Sequence, residues 1–138
     1  MLSDLFIETD RLIIVTTNNE ANGDKKQYAI LKNQSLTKDK INIDKIFCDS
    51  EIYTVVGYIH LNKNNYIEYE VYKPFRNMGF ATEMLTAIKD YCLSQKVSPN
   101  LYIDSLNDKS KNTAKKSGFI YEEPYDKYPN SEKWGIRK

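Results

Sequence analysis

The chain has 138 residues, and its 20 Lys plus Arg against 19 Asp plus Glu leave a net charge of +1. That near-balance removes the bulk electrostatic reason to expect nucleic acid or an anionic membrane surface as a partner. No apolar run approaches the roughly 20 residues of a membrane-spanning helix, and the opening MLSDLFIETDR lacks the basic and apolar segments of a secretory signal, so a cytoplasmic protein is expected. Cys48 and Cys92 stand apart, without CxxC spacing or clustered histidines, and give no metal site or redox pair. The abundance of Asn, Lys, Ile and Tyr points to an AT-rich coding genome, and from there to a bacterial source.

In chain order, FIETDRLIIVTT (Phe6 to Thr17) carries a β-branched apolar run and is expected to hold the first strand. NNEANGD reads as a turn, and DKKQYAILKN (Asp24 to Asn33) is the one stretch with helical character before residue 80. After the polar QSLTKDK, INIDKIF (Ile41 to Phe47) alternates apolar and polar residues as a half-buried strand does. IYTVVGYIHL (Ile52 to Leu61) and YIEYEVY (Tyr66 to Tyr72), separated by NKNN, predict an antiparallel hairpin. In its second strand Ile67, Tyr69 and Val71 share one face, Glu68 and Glu70 the other. Ala81, Met84, Leu85, Ile88 and Cys92 then fall on one helical stripe. Past Ser98-Pro99, NLYIDSL (Asn100 to Leu106) is another strand, and Asn107 to Lys116 a short polar helix stopped at Gly118. FIYEEPY and EKWGIRK are the last two strands. No repeat or linker interrupts this order, so residues 1–138 are expected to form one α+β domain.

The strand Tyr66 to Tyr72 enters the long helix through KPFRNMGFA, which puts Gly79 and Ala81 at the helix start. The first turn of a helix holds unpaired N–H groups with partial positive charge behind them, and phosphate can fill that site where no side chain stands in the way. Gly79 also tolerates backbone angles closed to other residues, and Arg76 adds a charge or organises the loop. A plain tight turn, with Ala81 packed on the sheet, is the competing reading. Neither GxxxxGK[ST] nor GxGxxG is present.

RNMGFA (Arg76 to Ala81) resembles the R/Q-x-x-G-x-G/A signature of the GNAT superfamily of N-acetyltransferases, and IEYEVYKPFRNMGFATEML resembles the strand, loop and helix around it. ETDRLIIV (Glu8 to Val15) is similar to the opening strand of the branch that includes ribosomal-protein-alanine acetyltransferases, and NDKSKNTAKKSGF (Asn107 to Phe119) to the later N-x-x-S…GF segment. The resemblance implies a twisted mixed, mainly antiparallel sheet, flanked by helices and split between its central strands, with acetyl-coenzyme A in the split. The diphosphate would lie on the amides of Met78, Gly79, Phe80, Ala81 and Thr82, in a loop shared with Arg76 and Asn77. The pantetheine arm would run beside Val71 and Tyr72, and Asn107 would touch it from the facing helix. No metal is implied.

The implied reaction is attack of a primary amine on the acetyl thioester in a ternary complex. A base must accept a proton, the carbonyl oxygen becomes negative near the N–H of Val71 or Tyr72, and the departing thiolate benefits from a proton donor. Glu68 is the first candidate base, with Glu70 and His60 as alternatives; solvated carboxylates and a structural histidine are the plain readings of all three. Many family members carry a tyrosine seven residues after the asparagine matching Asn107, where this chain has Ala114. The ribosomal-protein branch resembles it in having a serine, so Ser110 is the candidate donor. Lys109, Lys111, Lys115 and Lys116 either reach the coenzyme's 3′-phosphate or form a solvated face, and Cys92 reads as a core thiol. Tyr53, Tyr58, Tyr66, Tyr69 and Tyr72 either line a pocket or are ordinary strand residues.

Between their first two strands family members usually carry one or two helices, whereas Asn18 to Lys40 has room for about one. The acceptor pocket is therefore expected to be open on that side or completed by a second copy, since members are often homodimers. An open groove suits a peptide N-terminus, or else a small-molecule amine. The alternative is a coenzyme A-binding module without catalysis that works through a protein partner.

Overall fold

Leu12, Ile13, Ile14 and Val15 are all buried, which successive strand residues achieve only when both faces of the sheet are covered. The computed structural model, which describes residues 4–21, 24–33, 36, 40–125 and 127–136, shows both covers. Phe6–Glu8 (β1), Leu12–Ala21 (β2), Asp24–Leu31 (β3), Val55–Leu61 (β4) and Ile67–Val71 (β5) form an antiparallel sheet in that order. On one face lies Phe80–Ser94 (α1), whose Met84, Leu85, Ile88 and Cys92 pack with Leu12, Ile14, Ala29, Ile59 and Val71. On the other, Ile13, Val15 and Ile30 meet Leu36, Ile46 and Tyr53 from the connection between β3 and β4.

Leu101–Asp104 (β6), Phe119–Pro124 (β7) and Ser131–Ile136 (β8) make a second antiparallel sheet, ordered β6-β8-β7. Asp108–Lys116 (α2) packs on α1 and β7. Tyr66 and Asn100 form a parallel bridge between the two sheets, where Ile67 N–H donates to the Asn100 carbonyl at 2.8 Å. Past that bridge β5 and β6 belong to different sheets, and a fork opens between them. The mainly antiparallel α+β arrangement, split between its central strands, is the one expected.

Three local expectations change. Phe6 to Thr17 is a hairpin rather than one strand, with Glu8 paired to Ile13 and Thr9 N–H bonded to the Leu12 carbonyl at 2.8 Å. Asp24–Leu31 is a strand, so no α-helix forms in the described part of the segment expected to carry a shortened helical region. Its Lys, Gln and Ala favour helix by only tenths of a kcal/mol per residue, and pairing to β2 and β4 on both edges outweighs that. Ile41 to Phe47 is not a strand but contains a 3-10 turn at Ile43–Lys45. There the Asn42 side chain accepts from Asp44 N–H at 3.1 Å, the kind of local bond by which Asn draws a chain away from sheet. The turn at Asn22-Gly23 and residues 34, 35, 37–39, 137 and 138 of the expected segments lie outside the described residues. In α1 the buried stripe begins at Phe80, with Ala81 half-buried.

Gly57 in β4 faces Val71 in β5, and a β-carbon on it would lie 2.1 Å from the Glu70 carbonyl oxygen. Gly57→Ala is therefore expected to destabilise the fold by about 1–3 kcal/mol, read as a lower urea midpoint. An unchanged midpoint would mean that β4 and β5 pack less closely there.

Candidate active site

The fork between β5 and β6 opens into a cleft of about 690 Å³, closed at one end by the start of α1 and along one side by α2. Alternate residues of a strand point their N–H groups to opposite edges. Ile67 N–H points to β6 and Tyr72 N–H is taken by the Val56 carbonyl at 2.8 Å on the β4 side. Tyr69 and Val71 share the parity of Ile67, so their N–H groups face the fork. Of the two oxyanion donors expected, Val71 is thus the one on the open edge, and Tyr72 is committed to β4. Arg76 organises the loop: its Nε donates to the Val71 carbonyl at 2.9 Å and its Nη2 lies 3.6 Å from the Glu70 carboxylate.

The loop before α1 turns sharply because two residues take left-handed backbone angles, Asn77 at φ 65° and Gly79 at φ 82°. Gly79 is the N-cap of α1 and offers no side-chain cap to the first-turn amides. A β-carbon on Gly79 would sit 3.3 Å from Arg11 Nη2, so its missing side chain also makes room for that guanidinium. Glu83, in the first turn of α1, accepts from Thr9 Oγ1, from Arg11 N–H at 2.8 Å and from Arg11 Nε at 2.8 Å. Burial by itself raises the Glu83 pKa, but these bonds outweigh it and hold the carboxyl below its ordinary range. The stability so gained is complete above the unfolded carboxylate's pKa and is lost as pH falls through the lowered folded value.

Across the cleft, Asn107 caps α2, its side chain accepting from Ser110 N–H at 3.1 Å. Ser110 follows within the first turn and lines the cleft with Tyr69, where its side chain partly offsets the effect of burial on the Tyr69 phenol. Burial raises Tyr69, keeping it a protonated phenol at neutral pH. Lys109 Nζ donates to Asn77 Oδ1 at 2.6 Å, linking α2 to the loop before α1. Ala114, the position at which the resemblance implied a tyrosine, is fully buried, and burial pushes the Cys92 thiol up to about 11.

Glu68 lies on the other face of β5, opposite the buried His60. Its charge, after burial and Glu70, raises Tyr58 in β4; after burial it also raises Tyr102 in β6. Glu68 therefore stands at the fork between the two sheets. Among the described residues no ion pair engages it, whereas Glu70 is paired with Arg76. Tyr28, whose ring meets Phe47 at 4.7 Å and Tyr58 at 6.3 Å, makes one aromatic wall of that face. Tyr66, Tyr102, Tyr125 and Tyr128 make the other, with Tyr102 stacked on Tyr125 at 5.6 Å.

Val71, Arg76, Asn77, Gly79, Phe80, Ala81, Thr82, Asn107 and Ser110 all line the cleft. Met78 does not; its side chain is exposed and its carbonyl accepts from Arg11 Nη1 at 2.8 Å. Tyr72 and Glu68 also lie outside the lining. The lysines divide: Lys109 and Lys116 line the cleft, while Lys111 pairs with Glu132 at 3.3 Å. Of the five tyrosines, Tyr69 lines the cleft and Tyr53 belongs to the second core. The residues not foreseen are Arg11, Thr9 and Glu83, and the Tyr69–Ser110 juxtaposition. The one available signal was a tyrosine on an otherwise apolar strand face, whose hydroxyl needs a partner when buried.

Among the described residues no helix is long and apolar enough to cross a membrane, and no group of three or more His, Cys, Asp or Glu could hold a metal ion. The model of the acetyltransferase (GNAT) family matches residues 13–119. No curated protein sequence matches the chain. Among solved structures, an acetyltransferase from Agrobacterium tumefaciens str. C58 is similar over 100% of this chain and 97% of its own, with TM-score 0.70 and 13% identity. A GNAT-family acetyltransferase from Bacillus anthracis is similar over 96% of this chain and 98% of its own, with TM-score 0.63 and 18% identity. A spermidine N-acetyltransferase chimera from Vibrio cholerae and hSSAT is similar over 80% and 66%, with TM-score 0.52 and 13% identity.

Proposed function

Because the chain belongs to the acetyltransferase (GNAT) family, we propose that it is an acetyl-coenzyme A-dependent N-acetyltransferase acting on a primary amine by direct attack in a ternary complex. The observation that carries this reading is the continuity of one cleft. The open edge of β5 runs into a left-handed glycine at the N-terminus of α1, with no side-chain cap over the amides there. A thioester arm needs the first feature and a diphosphate the second. Bound acetyl-coenzyme A would supply the activated acetyl group. Gly79, Phe80, Ala81 and Thr82 would hold its diphosphate, with Lys109 and Lys116 near its charged end. Val71 N–H would pair with the arm or steady the negative charge growing on the thioester oxygen. Asn107 has its amide nitrogen left to meet the arm.

Ser110 and Glu68 lie on opposite sides of β5, which suits separate jobs. Glu68 accepts the amine's proton from the tyrosine-walled face, while Ser110, backed by Tyr69, hydrogen-bonds the departing sulfur on the α1 side. That acid–base division predicts that Ser110→Ala lowers kcat by on the order of 10²-fold with the KM for acetyl-coenzyme A unchanged, measured by steady-state kinetics. The face of β5 that carries Glu68 holds acidic and aromatic side chains and would suit a peptide N-terminus or a small amine. The similarity to a spermidine N-acetyltransferase chimera adds polyamines to the panel, and the likeness of ETDRLIIV to the ribosomal-protein branch adds peptide α-amines.

The deciding experiment measures thiol release from acetyl-coenzyme A in the presence of peptides with free N-termini, polyamines and other primary amines. Amine-dependent release supports the proposal. Coenzyme binding with no release by any amine would favour a non-catalytic module acting through a partner, and no coenzyme binding at all would overturn both.

A further inference from the structure

Arg11 lies outside the cleft, in the turn between β1 and β2, 72 residues in sequence from its partner Glu83. Its guanidinium stands behind the loop that leads into α1. Nη1 donates to the Met78 carbonyl at 2.8 Å, Nε donates to Glu83 at 2.8 Å, and the guanidinium carbon lies 4.1 Å from the centre of the Phe80 ring. The main chain of Arg11 is itself fixed, since its carbonyl accepts from Lys32 N–H at 2.8 Å at the end of β3. One side chain thus grips three of the six residues from Met78 to Glu83.

The consequence follows from peptide geometry. The Met78–Gly79 bond is trans, so its C=O and N–H point in opposite directions. Arg11 draws the carbonyl to the outer side of the loop. The Gly79 N–H is thereby turned inward, to the side where Gly79, Phe80, Ala81 and Thr82 line the cleft but neither Arg11 nor Met78 does. Arg11 also answers an electrostatic problem. Glu83 places a carboxylate, only 15% exposed, in the first turn of α1, where an unpaired negative charge would repel a bound phosphate. Both of its oxygens are occupied by the turn that carries Thr9 and Arg11.

We propose that Arg11 is a positioning residue for the diphosphate cradle: it aims the Gly79 N–H into the cleft and neutralises Glu83 behind it. The inference rests on the reading that coenzyme A binds in this cleft, and its test separates the two. Calorimetry gives the dissociation constant for coenzyme A, and an NMR titration that for acetyl-pantetheine, which has the thioester arm but no phosphates, on the parent and on Arg11→Gln. Thermal unfolding verifies that the variant is folded. The parent is expected to bind both ligands, and Arg11→Gln to bind coenzyme A at least about tenfold more weakly, as loss of one charge-assisted contact would do. Acetyl-pantetheine affinity should be the same in both proteins. Equal coenzyme A affinity in parent and variant, or an equal loss for both ligands, overturns the role of Arg11 while leaving the function standing. A parent that binds neither ligand overturns the function, and this inference with it. Should Arg11→Gln fail to fold, Arg11→Lys is read in the same way. It keeps the charge but has no planar fork to hold Glu83 and the Met78 carbonyl together.

Discussion

Gly79→Glu should leave the protein folded and weaken coenzyme A binding by on the order of 100-fold. Three effects add. Gly79 sits at φ 82° and ψ 5°, a left-handed conformation that costs a residue with a β-carbon about 1–2 kcal/mol. The new β-carbon points at Arg11 Nη2, 3.3 Å away, so the added carboxylate competes with the Met78 carbonyl for the guanidinium and loosens the loop. The third effect is charge. At an effective dielectric near 20, a carboxylate about 6 Å from the diphosphate would be repelled by roughly 3 kcal/mol; pairing with Arg11 offsets part of this, so the three effects together come to on the order of 100-fold. Gly79→Ala separates the contributions, because it carries the strain without the charge and should lose about tenfold or less. Calorimetry on both variants, with thermal unfolding alongside, measures this directly. Unchanged affinity in Gly79→Glu would place the phosphates elsewhere.

Glu68→Gln is expected to give the largest loss of turnover, about 10²- to 10⁴-fold in kcat, the range typical of a missing general base. Glu68 and Glu70 both point to the face away from α1, but their surroundings differ. Glu70 is 3.6 Å from Arg76, which also holds the Val71 carbonyl at 2.9 Å. Glu68 is paired across to His60 in β4 and is close enough to Tyr58 and Tyr102 for its charge to raise both, and an acceptor amine approaching that face of β5 would meet it. Glu70→Gln should therefore raise the KM for acetyl-coenzyme A, through the loop, more than it lowers kcat. Glu68→Gln should lower kcat and leave that KM alone. A Glu68→Gln variant as active as the parent would move the base to another group or to water.

The local frame of the proposed cradle was legible in the sequence because its determinants are local: a strand, then a glycine, then a helix with an apolar stripe, all within Ile67 to Cys92. The Gly118 stop of α2 was legible for the same reason, the glycine taking φ 94°. What could not be read depends on partners far away in the chain. Asp24–Leu31 became a strand because β2 and β4 claim its two edges, which a local pattern with Lys, Gln and Ala does not announce. Val71 rather than Tyr72 offers its N–H to the fork because β4 takes the other edge of β5. Arg11 and Glu83 read separately as a turn residue and a helix-surface carboxylate; only the fold brings them to 2.8 Å. Tyr69 and Ser110 meet likewise only because α2 packs back beside β5 across the cleft.

The central claim is that the diphosphate rests on the first amides of α1 and the thioester arm on the open edge of β5. A 15N-labelled NMR titration with coenzyme A tests it at the atoms concerned, and the chain's five glycines keep that part of the spectrum sparse. Saturable, large shifts at Gly79, Phe80, Ala81 and Thr82, with a smaller one at Val71 and none at Gly135 in β8, are the predicted result. No shift at Gly79, or shifts confined to residues away from the fork, would contradict it.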